Sequence, residues 1–214
     1  MGKGKTAAKR AVIYLFGIVM VSLGIILCKK SNLGISPISS IPYVLEETMP
    51  FTFGTLTMMF HMANIILQMI VVRRIWDIKI LLQVPVAFLF GQVIDFLQRV
   101  VVFDETIVVY QGAALLLSII FTALGMVCMI NMNLVQNPPD GFVRQLSRKI
   151  HVELGTVKIY YDISCVVISA ALGLLCLHRV KGFGIATLAS AVCVGRAVTW
   201  MKTAADRAVR CRSQ

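Results

Sequence analysis

The sequence predicts an all-α membrane protein of six transmembrane helices, arranged as two inverted repeats of three, each with a short Pro-started helix after its first span. Three observations lead there: the amount of apolar sequence, its division into runs long enough to cross a bilayer, and a self-similarity at a fixed offset. Of the 214 residues, 58% are hydrophobic and 14% charged, whereas a soluble domain carries about a quarter charged residues. A core for a chain of this length does not need so much apolar sequence, so the surplus has to face lipid.

About 20 apolar residues span the hydrocarbon core. Six segments answer to that length, at residues 11–28, 53–72, 80–97, 107–130, 155–177 and 183–201. The first follows Lys3, Lys5, Lys9 and Arg10, as a signal peptide would. It runs 18 residues without a charge and is followed by Lys29-Lys30 with no small-residue cleavage site, so it reads as a retained helix. The third contains Pro85 and is expected to tilt or kink there. The resulting organisation is a basic N-terminus (1–10), a first repeat (11–103), a second (104–201) and a basic tail (202–214).

The formal net charge is +11. The basic residues sit between apolar runs and at the termini, which points to membrane topology and not to nucleic acid. With the N-terminus inside, fourteen Lys and Arg fall on the cytoplasmic side and five on the outer side. Six spans then return the C-terminus to the cytoplasm, and a bacterial inner membrane is the expected location. The six cysteines form no CxxC pair, so neither a disulfide framework nor a zinc site is expected, and no cofactor is.

Two connections are more than loops. Residues 31–52 and 132–153 are partly apolar and carry Ser36-Pro37 and Asn137-Pro138-Pro139 near their starts. Ser or Asn followed by Pro is a helix-start signal. Ile38, Ile41, Val44 and Leu45 then recur at helical spacing, as do Phe142, Leu146 and Ile150. A short helix is predicted in each, either re-entrant or lying at the interface.

The two connections match at an offset of 101 residues: Leu23-Gly24 with Leu124-Gly125, Asn32-Leu33 with Asn133-Leu134, Pro37 with Pro138, Leu45 with Leu146, and Gly54-Thr55 with Gly155-Thr156. Polar residues correspond too. Thr57, His61, Asn64 and Gln68 share one helix face of the second span; Lys158, Asp162, Cys165 and Ser169 take the same positions in the fifth. At an offset of 104, Gln83 pairs with Thr187, Gln92 with Arg196 and Asp95 with Thr199. Each half holds an odd number of spans, so the second must be inverted, a plan shared by many secondary transporters.

The runs Asn32-Leu33-Gly34-Ile35-Ser36-Pro37, Phe53-Gly54-Thr55 and Asp140-Gly141-Phe142, with Gly155 followed by Asp162, resemble the YczE/YitT-type bacterial membrane proteins over residues 11–201. No soluble C-terminal domain of the kind some YitT-type members carry is present, which resembles the shorter YczE-like branch. The resemblance implies a membrane location and little chemistry, the family being largely uncharacterised.

Four ionisable residues fall within the spans: Asp95, Lys158, Asp162 and Arg196, joined by His61 when protonated. Charge in a bilayer is costly and has to face protein or a wet cavity. Lys158 and Asp162, four apart, are placed to pair on their own helix. On a structural reading these groups only hold helices together. On a functional reading Arg196 and Lys158 face an anionic group and Asp162 or Asp95 takes a coupling proton, with Gln92, the counterpart of Arg196, also a candidate binding residue. The helix starts, with Ser36 and Ser39 in one and Asn137 and Asp140 in the other, form a second candidate site if both reach the midplane. Neither HExxH, GxSxG nor a Walker loop occurs, so no enzyme is expected.

The resulting expectation is a secondary transporter of a small anionic or zwitterionic solute. The alternative is a non-transporting scaffold or accessory protein that binds a partner or lipid. Its surroundings are the lipid bilayer, and a homodimer is among the assemblies the sequence allows. Reporter fusions test the topology: a fluorescent protein at either terminus should fluoresce and alkaline phosphatase at either should stay inactive. Active phosphatase at one end only would mean an odd number of spans.

Overall fold

The computed structural model describes residues 2–73, 77–102 and 108–178, with 184, 186–187, 193–194 and 196–198. These form α1 (Gly2–Lys30), α2 (Pro37–Thr48), α3 (Phe53–Val72), α4 (Ile78–Leu81), α5 (Gln83–Val100), α6 (Val108–Met132), α7 (Pro138–Ile150) and α8 (Leu154–Leu177), with no strand among the described residues. Five stretches are long and apolar enough to cross a membrane: Ala8–Lys30, Phe53–Val72, Ile78–Val100, Val108–Met132 and Leu154–Leu177. The chain is thus a multi-pass membrane-type helical protein. The expected sixth span, 183–201, lies largely outside the described residues.

The helix boundaries follow from local chemistry. α1 and α6 both end at an asparagine in the left-handed region, Asn32 (φ 55°) and Asn133 (φ 48°), a conformation Asn tolerates better than most residues. Gly34, at φ 116°, completes the turn before Pro37, where a Cβ would be strained. α2 and α7 start on Pro37 and Pro138, whose missing N–H falls where a helix has no partner for it. Ser36 and Asn137 stand at the N-cap positions, but neither side chain caps; the Ser36 hydroxyl instead donates to Ser39 Oγ at 3.0 Å. Thr52 does cap α3, accepting from the Thr55 N–H. In the third span the break comes at Leu82, between α4 and α5, so Pro85 sits in the first turn of α5 where it does little harm.

α1 and α6 form the most extensive helix pair, and α1 also packs on α5. The α1–α6 contact is made by small residues: a Cβ on Gly125 would lie 2.6 Å from the Gly17 carbonyl oxygen, and one on Gly17 would lie 2.9 Å from the Gly125 carbonyl oxygen. Further along, Gly24 presses on Ser118 and Thr122. The partner number falls as the α1 number rises, so the two helices run antiparallel. Among the other helices the contacts are reciprocal. α2 packs on α8 and α7 on α3; α2 also touches α3, and α7 touches α8. α3 lies along α5, where Gly54 and Gly91 bring the backbones together.

The core is a cluster of Tyr14, Ile18, Val21, Ile26, Ile35, Phe53, Phe90, Ile94 and Met129. Outside it, large apolar side chains are exposed along whole faces, among them Leu116 and Ile120 on α6 and Ile159, Ile163 and Val167 on α8. Faces of this extent are covered by lipid tails in a membrane protein.

Packing in lipid depends on close backbone approach at small residues. Gly125→Leu should therefore force α1 and α6 apart and cost roughly 1–3 kcal/mol or more. Gly112, with open space around its Cα, provides the control. Melting of the purified protein in detergent should fall for Gly125→Leu and hold or rise slightly for Gly112→Ala; equal effects would remove the crossing as a main source of stability.

Candidate functional site

The richest polar region lies where α7 meets α3 and α8. α3 contributes one face, with His61, Asn64 and Gln68 all at most 3% exposed. Gln68 and Gln83 of α5 exchange two amide hydrogen bonds, Gln68 Nε2 to Gln83 Oε1 at 2.8 Å and Gln83 Nε2 to Gln68 Oε1 at 3.0 Å. The same Gln68 nitrogen donates to the Pro138 carbonyl at 3.0 Å, fixing the start of α7. Gly141 makes room for this, since a Cβ there would lie 2.8 Å from Gln68 Oε1.

α7 brings Asp140 in its first turn, where the helix N-terminus favours negative charge. α8 brings Lys158, Tyr161 and Asp162. Lys158 Nζ lies 3.3 Å from Asp140 Oδ1 and 3.2 Å from Asp162 Oδ1, so one ammonium bridges two carboxylates. Its Nζ also stands 5.6 Å from the Tyr161 ring centre. The Tyr161 hydroxyl donates to Asn64 Oδ1 at 2.8 Å, tying α8 to α3. The Phe142 and Tyr161 rings pack with centres 5.7 Å apart. Lys158, Asp140 and Asp162 are 30%, 34% and 19% exposed, so the cluster opens to its surroundings.

Within this seam three buried acceptor-type atoms have no hydrogen-bond partner: His61 Nδ1, Asn137 Oδ1 and Asp162 Oδ1. The Asp162 oxygen is within ion-pair distance of Lys158 but off the direction of a hydrogen bond. His61 meets Phe90 edge-on, ring centres 5.3 Å apart. Unpartnered buried polar atoms are rare in folded proteins and need a reason.

Of the residues expected from sequence, the structure brings His61, Asn137, Asp140, Lys158 and Asp162 into this region. Ser36 and Ser39 lie elsewhere, at the start of α2 on α8. There Ser40 donates to the Pro37 carbonyl at 2.7 Å and reaches the Cys165 carbonyl at 3.4 Å, while Ser169 donates to the Ser40 carbonyl at 3.0 Å. Cys165 and Ser169 are near the middle of α8, so the first turn of α2 lies about halfway along that helix.

Asp95 serves the opposite end. Its two oxygens accept from the Gly54 N–H (2.8 Å) and the Thr52 hydroxyl (2.6 Å), holding the start of α3. Gln92 and Arg196 are exposed. Asp95 and Arg196 thus do not join Lys158 and Asp162 in one set of ion pairs; the fold supplies Asp140 in their place, because α7 folds back onto α8.

Lys29, Glu46, Gln98 and Tyr161 carry polar contacts that sequence reasoning missed. Lys29 pairs with Glu46 and donates to Gln98 at 3.0 Å, with its Nζ 4.4 Å from the Phe53 ring centre. Above them is a cavity of 380 Å³ bounded by Glu46, Met49, Phe51, Asp95, Gln98 and Arg99. The one available signal was Tyr161 itself, a hydroxyl three residues from Lys158 on the same helix face. Among the described residues no group of three His, Cys, Asp or Glu is placed to hold a metal ion.

Residues 8–203 match the model of a family described as a family of unknown function, DUF6198. No curated protein and no solved structure matches the chain.

Removing Lys158 should leave Asp140 and Asp162 facing each other without a counter-charge. A lost partner in a buried pair costs about 3–5 kcal/mol, and the exposure here reduces that to about 1–3 kcal/mol. Lys158→Met should melt well below the wild type in detergent, and adding Asp140→Asn and Asp162→Asn should restore much of the loss. No recovery in the triple variant would mean that Lys158 acts through packing of its stem.

Proposed function

Because the chain belongs to the DUF6198 family, of unknown function, its role has to come from its own geometry, and we propose that it is a small-solute secondary transporter of the bacterial inner membrane with both termini in the cytoplasm. The carrying observation is the cross-packing of the two short helices. α2 lies on α8 and α7 on α3, each placing a polar first turn against a long helix of the other half. This supports reading the chain as two inverted halves. Pro37 and Pro138, like the starts of α3 and α8 at Phe53 and Leu154, keep the offset of 101. The antiparallel α1–α6 pair is what two such halves would show at their common axis.

In this reading α2 and α7 are re-entrant, their N-termini near mid-depth and their backbone ends covered by protein, as lipid requires. Transporters of inverted-repeat design place their solute site at such helix breaks. The seam of Asp140, Lys158 and Asp162 is then the solute site, and a proton taken up by a carboxylate is the natural coupling step. The cavity between Glu46 and Arg99 is a vestibule on the outer side. Phe53, Phe90 and Ile94 of the core are fully buried and stand as the closed barrier. The likeness to the YczE-like branch belongs to the same proposal.

The scaffold alternative rests on a different observation: Lys158 is already paired twice, as a purely structural cluster would be. Accessibility decides between the two. In a cysteine-free background, Asn137→Cys and Ser39→Cys would be challenged with a small membrane-impermeant thiol reagent in right-side-out and inverted vesicles. A transporter should expose at least one of the two from both sides. Modification of each from one side only, or of neither, would favour the scaffold.

A further inference from the structure

The polar seam holds more negative charge than positive. Asp140 and Asp162 share the single ammonium of Lys158, which leaves one formal negative charge on the three. No other salt-bridge partner of these groups is found among the described residues, and Arg196, the other cation expected there, is exposed. The surrounding side chains on α3 are neutral amides and His61.

The hydrogen-bond inventory is unbalanced in the same direction. The donors lining the seam have partners: the Gln68 and Gln83 amides, the Asn64 amide, the Tyr161 hydroxyl, and the Lys158 ammonium, which lies between Asp140 and Asp162. Asp162 Oδ1 meets only the shared Lys158 ammonium, as an ion pair, and Asn137 Oδ1 and His61 Nδ1 have no hydrogen-bond partner. The first two only accept, and a neutral imidazole accepts at Nδ1 when its proton is on Nε2. His61 is 3% exposed, lies on the same α3 face as Asn64 and Gln68, and packs edge-on against Phe90 of α5. Asn64 turns this face towards α8 and Gln68 turns it towards α7. What the seam lacks is a donor with positive charge.

On the transporter reading above, we propose that the solute enters this seam with a protonated primary amine, which takes up the second carboxylate and the free acceptors beside Lys158. The Tyr161 ring, already next to one ammonium at 5.6 Å, supplies the π-face that such a cation favours. Lys158 stands as an internal copy of the ligand group. An anionic headgroup fits less well, since it would have to displace two carboxylates from the only nearby ammonium. The seam therefore selects amines, including zwitterions that present their ammonium, over simple anions.

Thermal shift on the full chain in detergent tests this with defined probes at equal ionic strength: ethylammonium and ethanolamine chloride, sodium chloride, sodium acetate and sodium phosphate. Near-saturating amine should raise the melting temperature by about 2–4 °C over sodium chloride. Asp162→Asn should lose that shift, while Gly112→Ala, which has open space around it, should keep it. Lys158→Ala should show a larger shift than the wild type, because ethylammonium refills the place its own ammonium left. Stabilisation by acetate or phosphate and not by amine would overturn the charge assignment while leaving a solute site in the seam. A shift equal with sodium and amine, or no shift in either the wild type or Lys158→Ala, would also overturn it. The vesicle labelling reports on transport independently of these outcomes.

Discussion

In hydrocarbon a polar group has no water to fall back on, so each one must find its partner within the chain. Much of this fold can be read as an answer to that requirement. The Gln68 side chain cannot be left alone on an apolar helix, and by taking Gln83 and the Pro138 carbonyl it joins α3, α5 and α7. Lys158 is held by carboxylates from its own helix and from α7. Asp95 spends both oxygens on the start of α3. Dispersion alone discriminates poorly between one helix partner and another when lipid is equally apolar. These few polar contacts therefore decide which helices are neighbours.

The same requirement separates the two ends of the molecule. At one end Lys29, Glu46 and Gln98 form a closed group under an open cavity. At the other, the Asp140–Lys158–Asp162 cluster leaves acceptors unmet. Phe53 and Phe90 belong to the apolar core between them. A group with its valences filled contributes to holding a shape, whereas one with valences to spare is a place where something further can be held.

Helix existence is legible from the sequence because membrane spans are set by length and hydropathy. The apolar run at 53–72 predicts the second span, and α3 runs Phe53–Val72. The short helices are legible because a proline marks each start. What sequence does not supply is the partner of each polar residue. Asp162 beside Lys158 follows from helical spacing, but Asp140 is 18 residues away and reaches Lys158 only because α7 turns back along α8. Asp95 reads as an intramembrane charge seeking a cation, yet Thr52 and Gly54, more than 40 residues earlier, satisfy it. Tyr161 carries no local sign of its partner, since its bond to Asn64 depends on how α8 is turned towards α3. In each case the missing information is tertiary: which faces meet, not which helices form.

At the closest approach of α1 and α6, Gly17 and Gly125 each face the other's carbonyl oxygen, with the side chains of Val21 and Met129 packed beside them. Side chains that interlock, like gear teeth, would set the angle between two helices as well as their spacing. Here the glycines set the spacing, and Val21 and Met129, packed beside them, set the angle. The contact is thus a clamp, its depth fixed by the glycines and its jaws formed by Val21 and Met129. A side chain at Gly125 would therefore disturb the angle of the crossing as well as its distance.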